Sequence, residues 1–95
     1  MSVLNFSYAV IKDVDAFNNY VRKAAALMQE DKVEVVVRGT YLAAMRGGEK
    51  QGHVAAVFRY PDLESAKRFY ASAAYRELLP LRETACDMEI QFYEE

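Results

Sequence analysis

The sequence predicts an α+β sandwich of element order βαββαβ, a four-stranded antiparallel sheet with two helices on one face. Alternating runs of aromatic and β-branched residues lie near both ends and in the middle of the chain. Two apolar stripes at helical spacing each follow an aspartate, and a polar, glycine-rich stretch separates the two halves. With 95 residues there is room for one core only, so 1–95 is expected to be a single domain. The composition, 53% hydrophobic and 27% charged, is that of a chain that folds.

Strand one is expected over Val3 to Ile11, where Leu4, Phe6, Tyr8 and Val10 recur at every second position. Asp13 is placed to cap the first helix, and Asp15 sits in the first turn, where a carboxylate suits the helix dipole. Val14, Phe17, Val21, Ala24 and Met28 form the stripe that packs on the sheet. Strand two runs from Val33 to Arg38; Gly39 permits a bend, and Tyr41 to Met45 carries the strand onward. The segment Arg46-Gly47-Gly48-Glu49-Lys50-Gln51-Gly52 is the hairpin connection. Strand three follows from His53 to Tyr60 and ends at Pro61. Asp62 caps a second helix whose stripe is Leu63, Ala66, Phe69, Tyr70 and Ala73. Tyr75 to Leu79 continues as a helical segment that Pro80 interrupts, and Met88, Ile90 and Phe92 alternate in strand four. This is the split β-α-β, ferredoxin-like arrangement.

Charge and composition exclude several partners. A formal charge of -2 disfavours a nucleic-acid backbone, which is held by clustered Lys and Arg. An RNA-recognition module of the same element order would need a stacking aromatic on strand three, where this chain has Ala55. The apolar runs are too short for a bilayer, and the first twenty residues carry neither a basic leader nor a small-residue cleavage site, so neither a membrane nor export is expected. Cys86 is the single cysteine, which rules out an internal disulfide and leaves no multi-thiolate metal site. A cytoplasmic setting without metal or cofactor is expected.

Both sheet faces call for burial. Strand one has Leu4, Phe6, Tyr8 and Val10 on one parity and Val3, Ala9 and Ile11 on the other; strands two and three repeat this with Val35, Val36 and Val37 and with Ala55 to Phe58. Two helices cover one face, and a second copy of the chain is expected to cover the other as a two-fold homodimer.

Candidate chemistry is sparse. His53 is the sole imidazole and the only side chain with an ordinary pKa near neutrality, but no carboxylate pattern accompanies it; it is read as an exposed residue at a strand entry. Ser72 lacks a nucleophile elbow and is better suited to capping the segment at Tyr75. Gly47-Gly48 lacks the Lys-Ser/Thr of a phosphate loop, and Cys86 lacks a context that would activate its thiol. Arg38 is out of keeping with its valine-rich strand, and Arg82 follows Leu78, Leu79 and Leu81 in a segment that turns back to the sheet. With Tyr70 and Tyr75 as phenol donors, the two arginines are expected to line a pocket for a small organic acid, because a guanidinium fork fits a carboxylate. The alternative is a structural or interaction dimer in which the arginines pair with carboxylates such as Glu34, Glu77 or Asp87 and the tyrosines only pack.

The segment Val57 to Asp87 resembles domain-of-unknown-function family thirteen-thirty, whose pattern is aromatic-Pro-x-Leu-x-x-Ala, aromatic-Tyr-x-Ser-x-x-Tyr and then Leu-Arg. Here these are Tyr60-Pro61-Asp62-Leu63, Phe69-Tyr70-Ala71-Ser72 with Tyr75, and Leu81-Arg82; Arg38-Gly39 matches the family's Arg-Gly. Thr40 stands where a second glycine is usual, and Ala73-Ala74 where Pro-Glu is common. The resemblance implies membership of the dimeric α/β-barrel superfamily and a dimer joined sheet to sheet. It implies no particular activity, since relatives in that superfamily include cofactor-independent monooxygenases, lactone isomerases and small-metabolite sensors.

Overall fold

In the computed structural model, which describes residues 1–47 and 53–95, strand β1 spans Val3–Ile11, helix α1 Val14–Glu30, β2 Glu34–Thr40 and β3 His53–Tyr60. Helices α2 (Leu63–Ala71), α3 (Ala73–Arg76) and α4 (Leu79–Ala85) follow, and β4 (Cys86–Glu94) closes the chain. The antiparallel sheet has the order β2-β3-β1-β4, so β1 is central and pairs with both β3 and β4 along its length. A bulge between Val35 and Val37 shifts the β2–β3 register.

Local chemistry starts the helices where the sequence places them. Asp13 accepts from the Ala16 N–H at 2.9 Å and Asp62 from the Ser65 N–H at 2.7 Å, each satisfying one otherwise orphaned donor. The Ser65 N–H also holds the Asp62 carboxyl below the ordinary range. Ser72 closes α2 and opens α3, its hydroxyl donating to the Phe69 carbonyl at 2.7 Å and accepting from the Tyr75 N–H at 3.2 Å. Such a cap is worth about 1 kcal/mol.

Three expectations need correction. Tyr41 to Met45 does not extend β2; Leu42 and Met45 are fully exposed, because β2 is the sheet edge and no described strand lies beyond it. Pro80 does not interrupt a helix but lies in the first turn of α4, where its missing N–H would be unbonded anyway. On α1 the buried positions are Phe17, Tyr20, Ala24 and Met28, while Val14 opens the helix in solvent. Of the hairpin connection expected over residues 46–52, residues 48–52 lie outside the described residues, as does the His53 side chain.

The odd-numbered residues of β1 face the helices and are buried: Val3, Asn5, Ser7 and Ala9. Above them an aromatic cluster forms the core, with Phe69 against Tyr70, Tyr75 and Tyr60 at ring-centroid distances of 5.1, 5.5 and 6.1 Å. The even-numbered residues Leu4, Phe6, Tyr8 and Val10 lie on the opposite face, in line with Val57 of β3 and Val37 of β2. Phe6 meets Tyr93 edge to face at 5.1 Å there. No described helix covers this second face, whose end is closed by Arg59, paired with Glu34 and, through two hydrogen bonds of 2.7 Å, with Glu95. The bond to Arg59, aided by Ser2, holds the Glu95 carboxyl down to about 2.

Candidate functional site

Alanines create a cleft of about 310 Å³ between α1 and the helix-side face of the sheet. Ala9 and Ala56 on the strands face Ala24 and Ala25 on α1, and small side chains at facing positions leave space that leucines would fill. Phe17, Phe58 and Met28 give the rest of the wall an apolar character. The cleft reaches the sheet edge at Arg38, Gly39 and Thr40, all exposed residues of β2. A Cβ added to Gly39 would meet nothing within 4 Å, as befits a position bordering open space.

Two hydrogen-bonded chains end at this wall. In the first, Ser7 donates to Asn5 Oδ1 at 2.8 Å and Asn5 Nδ2 donates to the Tyr70 hydroxyl at 2.5 Å; Ser7 and Tyr70 both line the cleft. Asn5 is completely buried, so these bonds replace all the water its amide has lost. In the second, Arg82 Nη1 donates to the Tyr75 hydroxyl at 3.0 Å, and the Tyr75 and Tyr20 hydroxyls lie 2.7 Å apart. Tyr20 lines the cleft and sits 3.8 Å from the Met88 sulfur, also on the wall. Burial pushes the Tyr20 phenol up, with the neighbouring Tyr75 adding to the effect, and burial likewise raises Tyr70. Both are therefore neutral phenols at physiological pH. The Tyr60 hydroxyl is buried without a hydrogen bond of normal geometry, and burial raises it as well.

Of the side chains singled out in the sequence, Arg38 and Tyr70 border the cleft. Tyr75 and Arg82 do not; they connect to it through Tyr20. Arg82 also lies 3.6 Å from Glu83, whereas Glu34 and Asp87 pair with Arg59 and Lys12 instead. Arg38 has no hydrogen-bond or ion-pair partner among the described residues. Ser72 works at the α2–α3 junction, and Cys86 is buried at the start of β4 with its thiol pushed up by burial. Among the described residues no three His, Cys, Asp or Glu side chains gather as a metal site. Tyr20, Asn5 and Ser7 escaped the sequence reading. Tyr20 had a signal, lying three residues after Phe17 and four before Ala24 on the buried stripe.

A four-stranded antiparallel sheet with this strand order and helices on one face is an α+β sandwich of the ferredoxin-like class. Within that class the chain belongs to the family described as domain of unknown function (DUF1330), whose pattern matches residues 4–95. Among curated proteins none matches. A protein of unknown function from Rhodopseudomonas palustris, RPA0582, superposes with a TM-score of 0.85 at 14% identity, over 99% of this chain and 82% of that one. SnoaB, a cofactor-independent oxygenase from Streptomyces nogalater, gives a TM-score of 0.74 at 12% identity, over 99% and 92% of the two chains. An uncharacterized NIPSNAP-like domain protein from Burkholderia xenovorans gives 0.67 at 12% identity, over 99% and 84%. At these identities the likeness concerns the fold. Among the described residues no helix is long and apolar enough to cross a membrane.

Proposed function

We propose that the chain acts as a cytoplasmic homodimer, joined through the open sheet face, and binds a small organic acid in the cleft under α1. The observation that carries the ligand reading is Arg38, a guanidinium without a described partner at the rim of an apolar cleft whose wall includes two neutral phenols. A carboxylate entering from the sheet edge would meet Arg38 first and place its apolar body against Phe17, Phe58 and Met28. The exposed apolar residues Val37 and Tyr93, with Phe6 and Val57 between them on the sheet, support the second copy. So does the dimeric class to which the structural neighbours belong.

Such a dimer serves either a cofactor-independent enzyme or a metabolite binder. A structural dimer without a ligand is the second reading. It is favoured by Tyr20, Tyr75 and Arg82, which satisfy one another. A thermal-shift series over small aromatic and aliphatic acids separates the two, because a ligand that binds only the folded state raises Tm in proportion to ln(1 + [L]/Kd). The ligand reading expects a concentration-dependent rise for at least one acid, and Arg38→Ala to weaken that acid by about tenfold or more, the value of a charge-assisted pair. Flat melting curves for every acid would leave the structural dimer.

A further inference from the structure

Proton bookkeeping along the second chain of hydroxyls has a direction. Arginine carries donors only, so Arg82 must donate to the Tyr75 oxygen. The Tyr75 hydroxyl is buried, with the ring 1% exposed, and its only other described partner is the Tyr20 oxygen. If Tyr20 donated to Tyr75, the Tyr75 proton would be buried without an acceptor, at a cost of about 1–3 kcal/mol. The satisfied arrangement therefore runs Arg82 to Tyr75 to Tyr20, and the Tyr20 proton is left at the cleft wall. Its described acceptor is the thioether sulfur of Met88 at 3.8 Å, a weak one.

Resting on the reading of the cleft as a ligand site, we infer that Tyr20 faces the guest as a donor, so that the cleft selects an apolar molecule presenting a bare acceptor oxygen, a carboxylate, enolate or ketone. Tyr20 is the residue that touches this oxygen in place of Met88 sulfur. Tyr75 and Arg82 are positioning residues; they fix the direction of the Tyr20 proton from outside the cleft wall. A guest bearing only donors, such as an ammonium, finds no acceptor on the Tyr20 phenol and meets Arg38 with like charge. The burial that raises Tyr20 keeps its proton in place at neutral pH.

Three probes of one shape test this by calorimetric titration: 2-naphthoate, neutral 2-acetylnaphthalene and 2-naphthylmethylammonium. Tyr20→Phe, which keeps the ring and removes only the hydroxyl, is expected to weaken the ketone and the carboxylate by about tenfold and leave the wild-type preference against the ammonium reduced. Tyr75→Phe and Arg82→Met should weaken the ketone similarly, while Arg82→Lys, which keeps a donor, restores it to within about threefold. Each variant is first checked by circular dichroism and melting; should Arg82→Met fail to fold, Tyr75→Phe and Arg82→Lys carry the positioning claim. If wild type binds none of the probes, the reading of the cleft falls and this inference with it. If wild type binds the ketone and Tyr20→Phe binds it equally well, the donor role of Tyr20 alone is overturned. Equal ketone binding by Arg82→Met, or by Tyr75→Phe where Arg82→Met does not fold, overturns the positioning role.

Discussion

Val57→Asp is expected to halve the mass of the protein in solution, from twice the 10.8 kDa chain to a single chain, while leaving the protomer folded. Val57 stands in β3 directly between Phe6 of β1 and Val37 of β2, on the face that no helix covers. In a two-fold assembly the same substitution enters the interface twice, so two carboxylates lose water together near the axis. Each unpaired buried charge costs several kcal/mol even after relaxation. An increase in dimer Kd of at least about a thousandfold, roughly 4 kcal/mol, follows. In the isolated protomer that aspartate faces water, so the far-ultraviolet spectrum should be kept. Light scattering at micromolar concentration checks this; a wild type that already has the mass of one chain would refute the sheet-to-sheet dimer.

Phe69→Ala is expected to destabilise the protomer by about 4 kcal/mol, the middle of the range for removing a buried phenylalanine. The ring is 2% exposed and touches Tyr60, Tyr70 and Tyr75, so few neighbours can move in without breaking their own contacts. It is the apolar support of both hydrogen-bonded chains, since Tyr70 and Tyr75 stack on it and on each other at 4.8 Å. Against the roughly 5–15 kcal/mol that holds a domain together, such a loss is a large share. Denaturant unfolding read at constant m-value gives the number. A loss below about 1 kcal/mol would mean that the cluster repacks freely, and the fixed geometry assigned to Tyr70 and Tyr75 would go with it.

The elements that a period reveals were legible in the sequence. Alternation marked β1 and β4, the glycine-rich stretch and Pro61 bounded β3, aspartates marked the starts of α1 and α2, and the apolar residues on both parities of β1 marked an uncovered face. Failures came where the local pattern is ambiguous. Tyr41 to Met45 is apolar enough for a strand, but a strand needs a neighbour, and the sheet ends at β2. A proline inside an apolar run signals a break or a first turn alike, and Pro80 proved to be the latter. At the site, Arg38 and Tyr70 could be chosen by residue type. Asn5 and Ser7 could not, because a polar residue on an alternating strand suggests solvent, and only Tyr70 above them makes their burial affordable. The cleft is an absence of side chains, set by alanines that any core pattern tolerates.

The central claim, that the space under α1 holds an acid, is tested most directly by locating a bound carboxylate. Isotope-labelled protein titrated with 2-naphthoate should show saturable shifts of the Arg38 side-chain Nε–H and of the backbone amides of Ala9, Ala24 and Val54, which surround the cleft. Saturable shifts confined to the open sheet face around Val57 and Tyr93, with Arg38 unmoved, would contradict the account.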